Sequence, residues 1–224
     1  MKRAEIIELK ESILENNDAD AERLRGETAE KHISYMNVMS SPGSGKTSVL
    51  LALNKALGSR MRMGVMEADI DSAVDADTML ENGIPSVQLH TGGMCHLDAD
   101  MSRQGLKALG TEGLDLVVLE NVGNLVCPAE FDTGADINVV ILSVPEGDDK
   151  PLKYPLVFTK CSAVLINKID ALPAFDFDMD RCREYIAARN PDARVFPVSA
   201  ITGEGIGVFA DWLLDRVKRR VDNE

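Results

Sequence analysis

Short apolar runs alternate with longer amphipathic stretches along most of the chain. Apolar, β-rich runs bounded by turn residues predict buried strands, and the stretches between them predict helices. The predicted strands are Ile33–Met39, Met63–Met66, Ser86–Leu89, Leu116–Leu119, Val139–Val144, Ala163–Ile166 and Val195–Val198. The predicted helices are Ser48–Leu57, Asp98–Leu109, Met179–Arg189 and Ile206–Arg219.

This alternation predicts the fold class. Strands separated by helices form mostly parallel sheets with helices on both faces, so we expect a three-layer α/β fold with about seven strands. Residues 1–30 are acidic and helical in character, without a predicted strand. We predict one or two helices there, packed on the edge of a single domain formed by residues 31–224.

Composition narrows the classes of partner. The 224 residues are 45% apolar, enough for one substantial core, and the formal net charge is −13. Such an acidic chain is not expected to bind nucleic acid or anionic lipid, which require clustered Lys and Arg. The sequence contains no run typical of a signal peptide or a membrane span, so we expect a soluble, cytoplasmic protein.

The segment Ser40–Thr47, SSPGSGKT, follows a predicted strand and opens a predicted helix, which is the context of a Walker A phosphate loop. Its glycines allow a tight turn that directs backbone N–H groups at phosphate oxygens, the lysine reaches the β- and γ-phosphates, and the threonine offers a hydroxyl to Mg²⁺. The chain therefore belongs in the P-loop NTPase fold. Ser40 replaces the first consensus glycine. The predicted phosphate-binding residues are Gly43, Ser44, Gly45, Lys46, Thr47 and Ser48.

A guanine-reading motif, Asn167-Lys168-Ile169-Asp170, follows the predicted strand Ala163–Ile166. A carboxylate at Asp170 can accept hydrogen bonds from N1 and N2 of guanine, which adenine cannot donate. Asn167 would brace the loop, and the stem of Lys168 would lie over the base. Ser199-Ala200 ends the next strand and matches the Ser-Ala loop of GTPases. The order of these motifs predicts a GTPase.

Two carboxylates that follow strands, Asp69 and Glu120, are candidate Mg²⁺ ligands together with Thr47. Glu120-x-x-Gly123 stands where many GTPases have Asp-x-x-Gly, whose glycine senses the γ-phosphate. Asp71 or Asp75 could orient the attacking water, or could belong to a solvated acidic loop. We predict in-line attack of water on GTP, with Lys46, Asp69, Asp75 and Glu120 as the catalytic set and a slow intrinsic rate, since no arginine finger is evident.

A second metal site is predicted between the candidate switches. Cys95 and His96 open a predicted helix, and Cys127 closely follows the Glu120–Gly123 segment. Two thiolates and an imidazole suit Zn²⁺ or Ni²⁺, and Asp98, Asp100 or a second subunit could complete the coordination. Taken singly, these residues could equally be core or capping residues. Cys161 and Cys182 lie in apolar patterns and are expected in the core.

Four blocks carry a family resemblance: SSPGSGKT, GMCHLD (Gly93–Asp98), ENVGNLVCP (Glu120–Pro128) and EGDDKPLKYP (Glu146–Pro155). They resemble the hydrogenase maturation GTPases of the HypB family over nearly the whole chain. The resemblance implies a GTPase of the SIMIBI class that helps insert nickel into [NiFe]-hydrogenase, dimerises with GTP, and binds metal through Cys95, His96 and Cys127 near the dimer interface.

The resemblance also implies partners: the nickel-binding accessory protein HypA and the precursor of the hydrogenase large subunit. Some family members carry an N-terminal Cys-x-x-Cys or a His-rich tract. The sequence as printed has neither, so the switch-region site is the expected metal site. Lys150 and Lys153 could be solvated, or could reach a nucleotide or a partner subunit.

Three alternatives remain open from the sequence. A urease-type maturation GTPase would carry Cys-Pro-His, whereas Cys95 and His96 are adjacent here. A P-loop kinase would have no reason to carry Asn167–Asp170. A metal carrier that uses GTP only structurally is the third alternative.

Overall fold

The computed structural model describes residues 5–8, 17–69 and 74–222. Its strands are β1 (Glu5–Glu8), β2 (Ser34–Ser40), β3 (Met63–Asp69), β4 (Ser86–His90), β5 (Leu116–Glu120), β6 (Ile137–Ser143), β7 (Ala163–Asn167) and β8 (Arg194–Pro197). They form one sheet in the order β1-β4-β3-β5-β2-β6-β7-β8. Every pairing is parallel, which confirms the predicted sheet.

The helices cover both faces of this sheet. They are α1 (Asn17–Glu30), α2 (Lys46–Leu57), α3 (Val74–Glu81), α4 (Ala99–Leu109), α5 (Cys127–Glu130), α6 (Lys150–Lys153), α7 (Pro155–Lys160), α8 (Met179–Arg189) and α9 (Ile206–Asp222). Buried residues of α2, α3 and α9 pack on one face, and those of α1, α4, α5, α7 and α8 pack on the other. The predicted three-layer architecture is confirmed.

Burial on both faces explains why the central strands read as continuous apolar runs. All five residues of β5 and of β7 are buried, and side chains of alternate parity along β5 enter opposite faces. The predicted strands are confirmed to within three residues at their ends. Among the described residues, no helix combines the length and apolar character needed to cross a bilayer.

The N-terminal expectation was wrong in one respect. Glu5–Glu8 forms a strand that pairs with β4 in parallel, where only helices were predicted. Its Ile6-Ile7 pair has high strand propensity, but the flanking glutamates and the short length resemble a helical surface when read alone. Pairing with the exposed edge of β4 decides the outcome, and β1 becomes the eighth strand.

Parallel strands bring their carboxyl ends to one edge of the sheet. The loops after β3, β5 and β2, three adjacent strands, therefore meet there, and the loop after β7 lies at the same edge beyond β6. These loops carry the phosphate motif, the acidic residues, the Glu120–Gly123 segment and the base motif. The topology alone places the predicted site at this edge.

Candidate functional site

The loop after β2 has the backbone of a phosphate cradle. Gly43 and Gly45 adopt φ values of +75° and +93°, which side chains other than glycine rarely adopt. They lead directly into α2, whose N-terminal N–H groups lack partners within the helix and are available to an anion. A Cβ at Gly45 would also lie only 2.7 Å from Nδ2 of Asn167.

Ser40 fits at the position of the first consensus glycine. It is fully buried and lies in extended backbone at the end of β2, so no glycine is required there. Its hydroxyl donates to the carbonyl oxygen of Ser41 at 2.8 Å and accepts from the Ser44 hydroxyl at 2.7 Å. These two hydrogen bonds therefore connect the start of the phosphate loop to its middle within the protein interior.

Asn167 joins three functional segments. Its Nδ2 donates to the Ser44 carbonyl oxygen at 2.9 Å, and its Oδ1 accepts from the Ala200 backbone N–H at 3.2 Å. Lys168 adopts φ +62° and donates from Nζ to the Gly43 carbonyl oxygen at 2.7 Å. These hydrogen bonds link the base motif, the phosphate loop and the Ser-Ala loop to one another.

Asp170, the carboxylate predicted to read guanine, lies at the surface. Asp170 is exposed in the 3₁₀ turn Ile169–Ala174 that follows β7. Ser199 is buried, and its hydroxyl accepts from the Thr202 backbone N–H at 3.2 Å, which shapes the turn after β8. Ser48 is exposed in the first turn of α2. An accessible Asp170 beside a fixed loop is the arrangement that base recognition requires.

Lys46 and Thr47 converge on Glu120 at the end of β5. The Thr47 hydroxyl donates to Glu120 Oε1 at 3.0 Å, and Lys46 Nζ lies 4.0 Å from the same oxygen. Gly123 packs against the phosphate loop, since a Cβ there would lie 3.2 Å from Pro42. The Glu120–Gly123 segment therefore lies directly against the loop that would hold the phosphates.

Sequence reasoning missed one member of this acidic site, Glu67. Carboxylate oxygens of Glu67, Asp75 and Glu120 lie within 4.8 Å of one another. Glu67 lies inside β3 and is 3% exposed, and a buried acidic residue in an otherwise apolar strand was the signal available in the sequence. Asp75, in the first turn of α3, is exposed and completes the group.

Burial sets the electrostatics of the two buried carboxyls. Desolvation, followed by the charge of Glu120, raises the pKa of Glu67 well above its usual range, and desolvation also raises the pKa of Glu120. Each has a buried oxygen without a hydrogen-bond donor among the described residues. Unsatisfied carboxylate oxygens beside a threonine hydroxyl are the hard donors that Mg²⁺ prefers, so these residues fit that ion.

The remaining predicted acidic residues are placed differently. Asp69, at the end of β3, is exposed, and its carbonyl oxygen accepts from the Thr91 backbone N–H at 3.3 Å. Within the part of the chain that the structure describes, Asp69 is not a member of the three-carboxylate group. Asp71 lies outside the described residues. Glu67, rather than the predicted Asp69, therefore belongs to the described acidic group with Glu120.

The two predicted metal thiols meet. Cys95 lies in the loop after β4, and Cys127 is the first residue of α5. The side-chain hydrogen bond between Cys95 and Cys127 raises the pKa of the Cys95 thiol, because it favours the protonated form. Asn124 donates from Nδ2 to the Cys127 sulfur at 3.4 Å. Segments more than 30 residues apart in sequence therefore supply a preassembled pair of soft ligands.

His96 stands beside this pair. Its ring stacks on Phe131, with the centroids 3.7 Å apart and 12° between the planes. Among the described residues, the ligand atoms of Cys95, His96 and Cys127 do not all lie within 4.8 Å of one another. The imidazole would have to leave this stack or the thiols would have to shift for all three to bind one ion.

The carboxylates considered for completing the shell have other partners. Asp98 is buried and caps α4, accepting from the Met101 backbone N–H at 2.8 Å. Asp100 accepts from Gln104 at 2.9 Å and lies 3.6 Å from Arg103. Cys161 and Cys182 are buried, and burial raises the pKa of each thiol to about 12, as expected of core cysteines.

A short path links the phosphate loop to the thiols. Ser40 forms an antiparallel bridge with Asn124, whose side chain contacts Cys127. Behind it, the side chain of Asn121 accepts from the Val122 N–H and donates to Asn37 at 3.0 Å. Asn124 therefore contacts both the start of the phosphate loop and the Cys127 sulfur.

Lys150 and Lys153 both carry local ion pairs. Lys150 Nζ lies 3.8 Å from Glu146, and Lys153 Nζ lies 2.7 Å from Asp149. The Lys153 pair is largely exposed and contributes little to stability.

Comparison with known proteins agrees with this geometry. Residues 34–197 match the family model described as CobW/HypB/UreG, nucleotide-binding domain. The hydrogenase maturation factor HypB of Azotobacter chroococcum mcd 1 is 42% identical over 228 residues, covering 99% of this chain and 74% of the relative. A hydrogenase/urease maturation factor HypB of Helicobacter pylori (strain J99) is 38% identical and covers 94% of this chain and 88% of the relative.

A solved structure is similar over the whole fold. The crystal structure of HypB from Helicobacter pylori in complex with nickel superposes with a TM-score of 0.85 at 37% identity. The match covers 92% of this chain and 96% of that one. The similarity therefore extends over nearly the whole chain.

Proposed function

The chain belongs to the CobW/HypB/UreG family, and within it to the HypB proteins, and we propose that it is a GTP-hydrolysing metallochaperone for nickel insertion into [NiFe]-hydrogenase. One observation carries the proposal: the Ser40–Asn124 bridge and the Asn124–Cys127 contact place the thiol pair next to the phosphate loop. A metal site this close to a γ-phosphate sensor is suited to metal transfer controlled by the nucleotide.

Guanine selectivity rests on Asp170. Its exposed carboxylate follows a loop that Asn167 and Lys168 fix to the phosphate cradle, so a base seated against the loop meets an acceptor pair. Guanine presents two N–H donors to such a carboxylate, whereas adenine presents an acceptor at the equivalent ring position. We propose that the Ser199–Ala200 turn, which the Ala200 N–H fixes to Asn167, closes the pocket beside the base.

The hydrolytic step is in-line attack of water on the γ-phosphorus, with the bond to the β–γ bridging oxygen broken and GDP and phosphate released. Lys46 neutralises charge on the phosphate oxygens, and backbone N–H groups of Gly43 to Thr47 hold the chain of phosphates. Mg²⁺, held by Thr47, Glu120 and Glu67, would supply further charge neutralisation when bound. Asp75 is the candidate for orienting the water.

Metal transfer is the second half of the proposal. Cys95 and Cys127 would bind Ni²⁺ or Zn²⁺ as thiolates, with His96 as the third ligand after release from its stack on Phe131. Occupation of the phosphate loop by GTP or GDP would change the position of Asn124 and so the thiol geometry. The proposed cargo is nickel, delivered to the precursor of the hydrogenase large subunit.

The further partners are proposals on the same basis. We expect a GTP-dependent homodimer, acquisition of nickel from the accessory protein HypA, and a cytoplasmic location. We also propose that residues 1–30 pack on the G domain at 31–224, as strand β1 and helix α1 do. A role in urease assembly is the second candidate, since one Helicobacter pylori relative is described as a hydrogenase/urease maturation factor. Activation of apo-urease and of apo-hydrogenase in the same reconstituted assay would separate them.

A competition experiment tests the nucleotide half. The protein is titrated with a fluorescent GDP analogue, and unlabelled GTP and ATP are compared as competitors. We expect GTP to compete and ATP to fail, and Asp170→Asn to lose the preference for guanine. Lys46→Ala should abolish hydrolysis and nickel delivery together. Delivery that survives without hydrolysis would favour a metal carrier with structural GTP instead.

A further inference from the structure

Helix α1 contacts both segments that supply the thiols. Asn17, its first residue, contacts one segment with each end of its side-chain amide. Nδ2 donates to the carbonyl oxygen of Asp132 at 3.0 Å, and Oδ1 accepts from the backbone N–H of Ala99 at 3.0 Å. Ala99 lies three residues after His96, and Asp132 lies five residues after Cys127.

Both bonded groups are backbone groups that need a partner. Ala99 is the first residue of α4, where an N–H has no acceptor within the helix, and the Asp98 cap serves Met101 instead. Asp132 follows Phe131, the ring on which His96 stacks. The Asn17 amide therefore connects the segment that follows Cys95 and His96 to the segment that follows Cys127.

A second contact from the same helix fixes the Cys127 side. Arg25 donates to both carboxylate oxygens of Asp132 at 2.9–3.1 Å, and Asp132 Oδ1 also accepts from the Gly134 backbone N–H at 2.9 Å. A bidentate pair of this kind fixes orientation as well as distance. The Cys127–Asp132 segment is thus anchored to α1 at two points, and Asn17 is the point that also reaches the Cys95 side.

We infer that Asn17 is a positioning residue for the thiol pair: its amide sets the separation of the Cys95 and Cys127 segments and so the geometry and affinity of the metal site. This inference rests on the proposed metal function. Groups that orient metal ligands from outside the coordination shell typically change affinity by about 10- to 100-fold when removed. The nucleotide loops take their contacts from Asn167, Lys168 and Ser40, so nucleotide affinity should not depend on Asn17.

The test is a titration of the full-length nucleotide-free protein with Ni²⁺ and Co²⁺, followed by thiolate charge-transfer absorption. Asn17→Ala should weaken binding by about tenfold and shift the absorption band. Asn17→Asp keeps an acceptor for the Ala99 N–H but cannot donate to the Asp132 carbonyl oxygen. Its metal affinity should lie between those of the wild type and Asn17→Ala. GDP affinity, unchanged, shows that each variant is folded.

Arg103→Gln is the matched control. Arg103 joins α4 to α1 through Glu27 and the Asp20 carbonyl oxygen, in the same helix pair but on groups other than the Ala99 N–H and the Asp132 carbonyl that Asn17 bonds; its contact with Asp100, at 3.6 Å, is partly exposed. The substitution should lower thermal stability and leave the band unchanged. If Asn17→Ala titrates like the wild type, or if Arg103→Gln shifts the absorption band equally, the inference about Asn17 is overturned while the proposed function stands. A wild-type band that survives Cys95→Ser and Cys127→Ser would remove the proposed metal site, and the inference with it.

Discussion

Removal of the Asn167 side chain tests whether the base loop and the phosphate loop bind nucleotide as one preformed unit. Asn167→Ala deletes two hydrogen bonds, to Ser44 and to Ala200, and leaves both backbone groups without that partner. At about 1 kcal/mol for each bond, the loss is about 2 kcal/mol. If this whole loss appears as weaker nucleotide binding, about 2 kcal/mol corresponds to about a 30-fold increase in the Kd for GDP.

The assay is GDP binding by isothermal titration calorimetry, with thermal stability measured in parallel. Asn190→Ala is a matched control, because Asn190 also donates two side-chain hydrogen bonds, to the carbonyl oxygens of Thr159 and Cys161. These lie before the amino end of β7, at the edge of the sheet opposite the loops. This variant should lose stability and keep its GDP affinity. Wild-type GDP affinity in Asn167→Ala would refute the preformed-unit reasoning.

Three further substitutions give separate outcomes. Ser40→Gly restores the consensus phosphate loop yet should lower the free energy of unfolding by about 1 kcal/mol in chemical denaturation, since it removes the Ser40–Ser44 bond. Burial acts to raise the pKa of Asp148, but Arg181 and a backbone N–H lower it overall. The stability that Asp148 contributes is therefore present at neutral pH and is lost as the pH falls through the depressed pKa. Asp148→Asn should flatten the acid side of the curve of unfolding free energy against pH. Glu67→Gln removes a buried carboxyl whose ionised form is penalised by desolvation and by Glu120. It should raise the melting temperature of the nucleotide-free protein while reducing Mg²⁺-dependent hydrolysis.

Much of the fold follows from local sequence because burial on both faces leaves a simple signature. The strands β5 and β7 are continuous apolar runs, and the glycines of the phosphate loop mark a turn between a strand and a helix. These features are local, so periodicity and turn chemistry predict them. Even Ser40, a departure from the consensus, agrees with the backbone because its conformation is extended.

The parts that were missed depend on contacts distant in sequence. β1 is a strand only because β4 offers it an edge, and Glu67 belongs to the acidic group only because β3 and β5 are neighbours in the sheet. The sequence shows that Cys95 and His96 are adjacent, but not that Phe131 stacks on the imidazole. Spacing identifies candidate ligands; packing decides which of them face one another.

The account depends most on coupling between nucleotide and metal. The direct measurement is a Ni²⁺ titration of the GTP-bound and GDP-bound protein, with GTP held by a non-hydrolysable analogue, for the wild type and for Cys95→Ala and Cys127→Ala. We predict that the wild-type Kd for Ni²⁺ differs by about tenfold between the two states, a coupling of about 1.4 kcal/mol, and that either substitution removes the difference. Equal Ni²⁺ affinity in both nucleotide states of the wild type would contradict the proposal that GTP hydrolysis moves the metal.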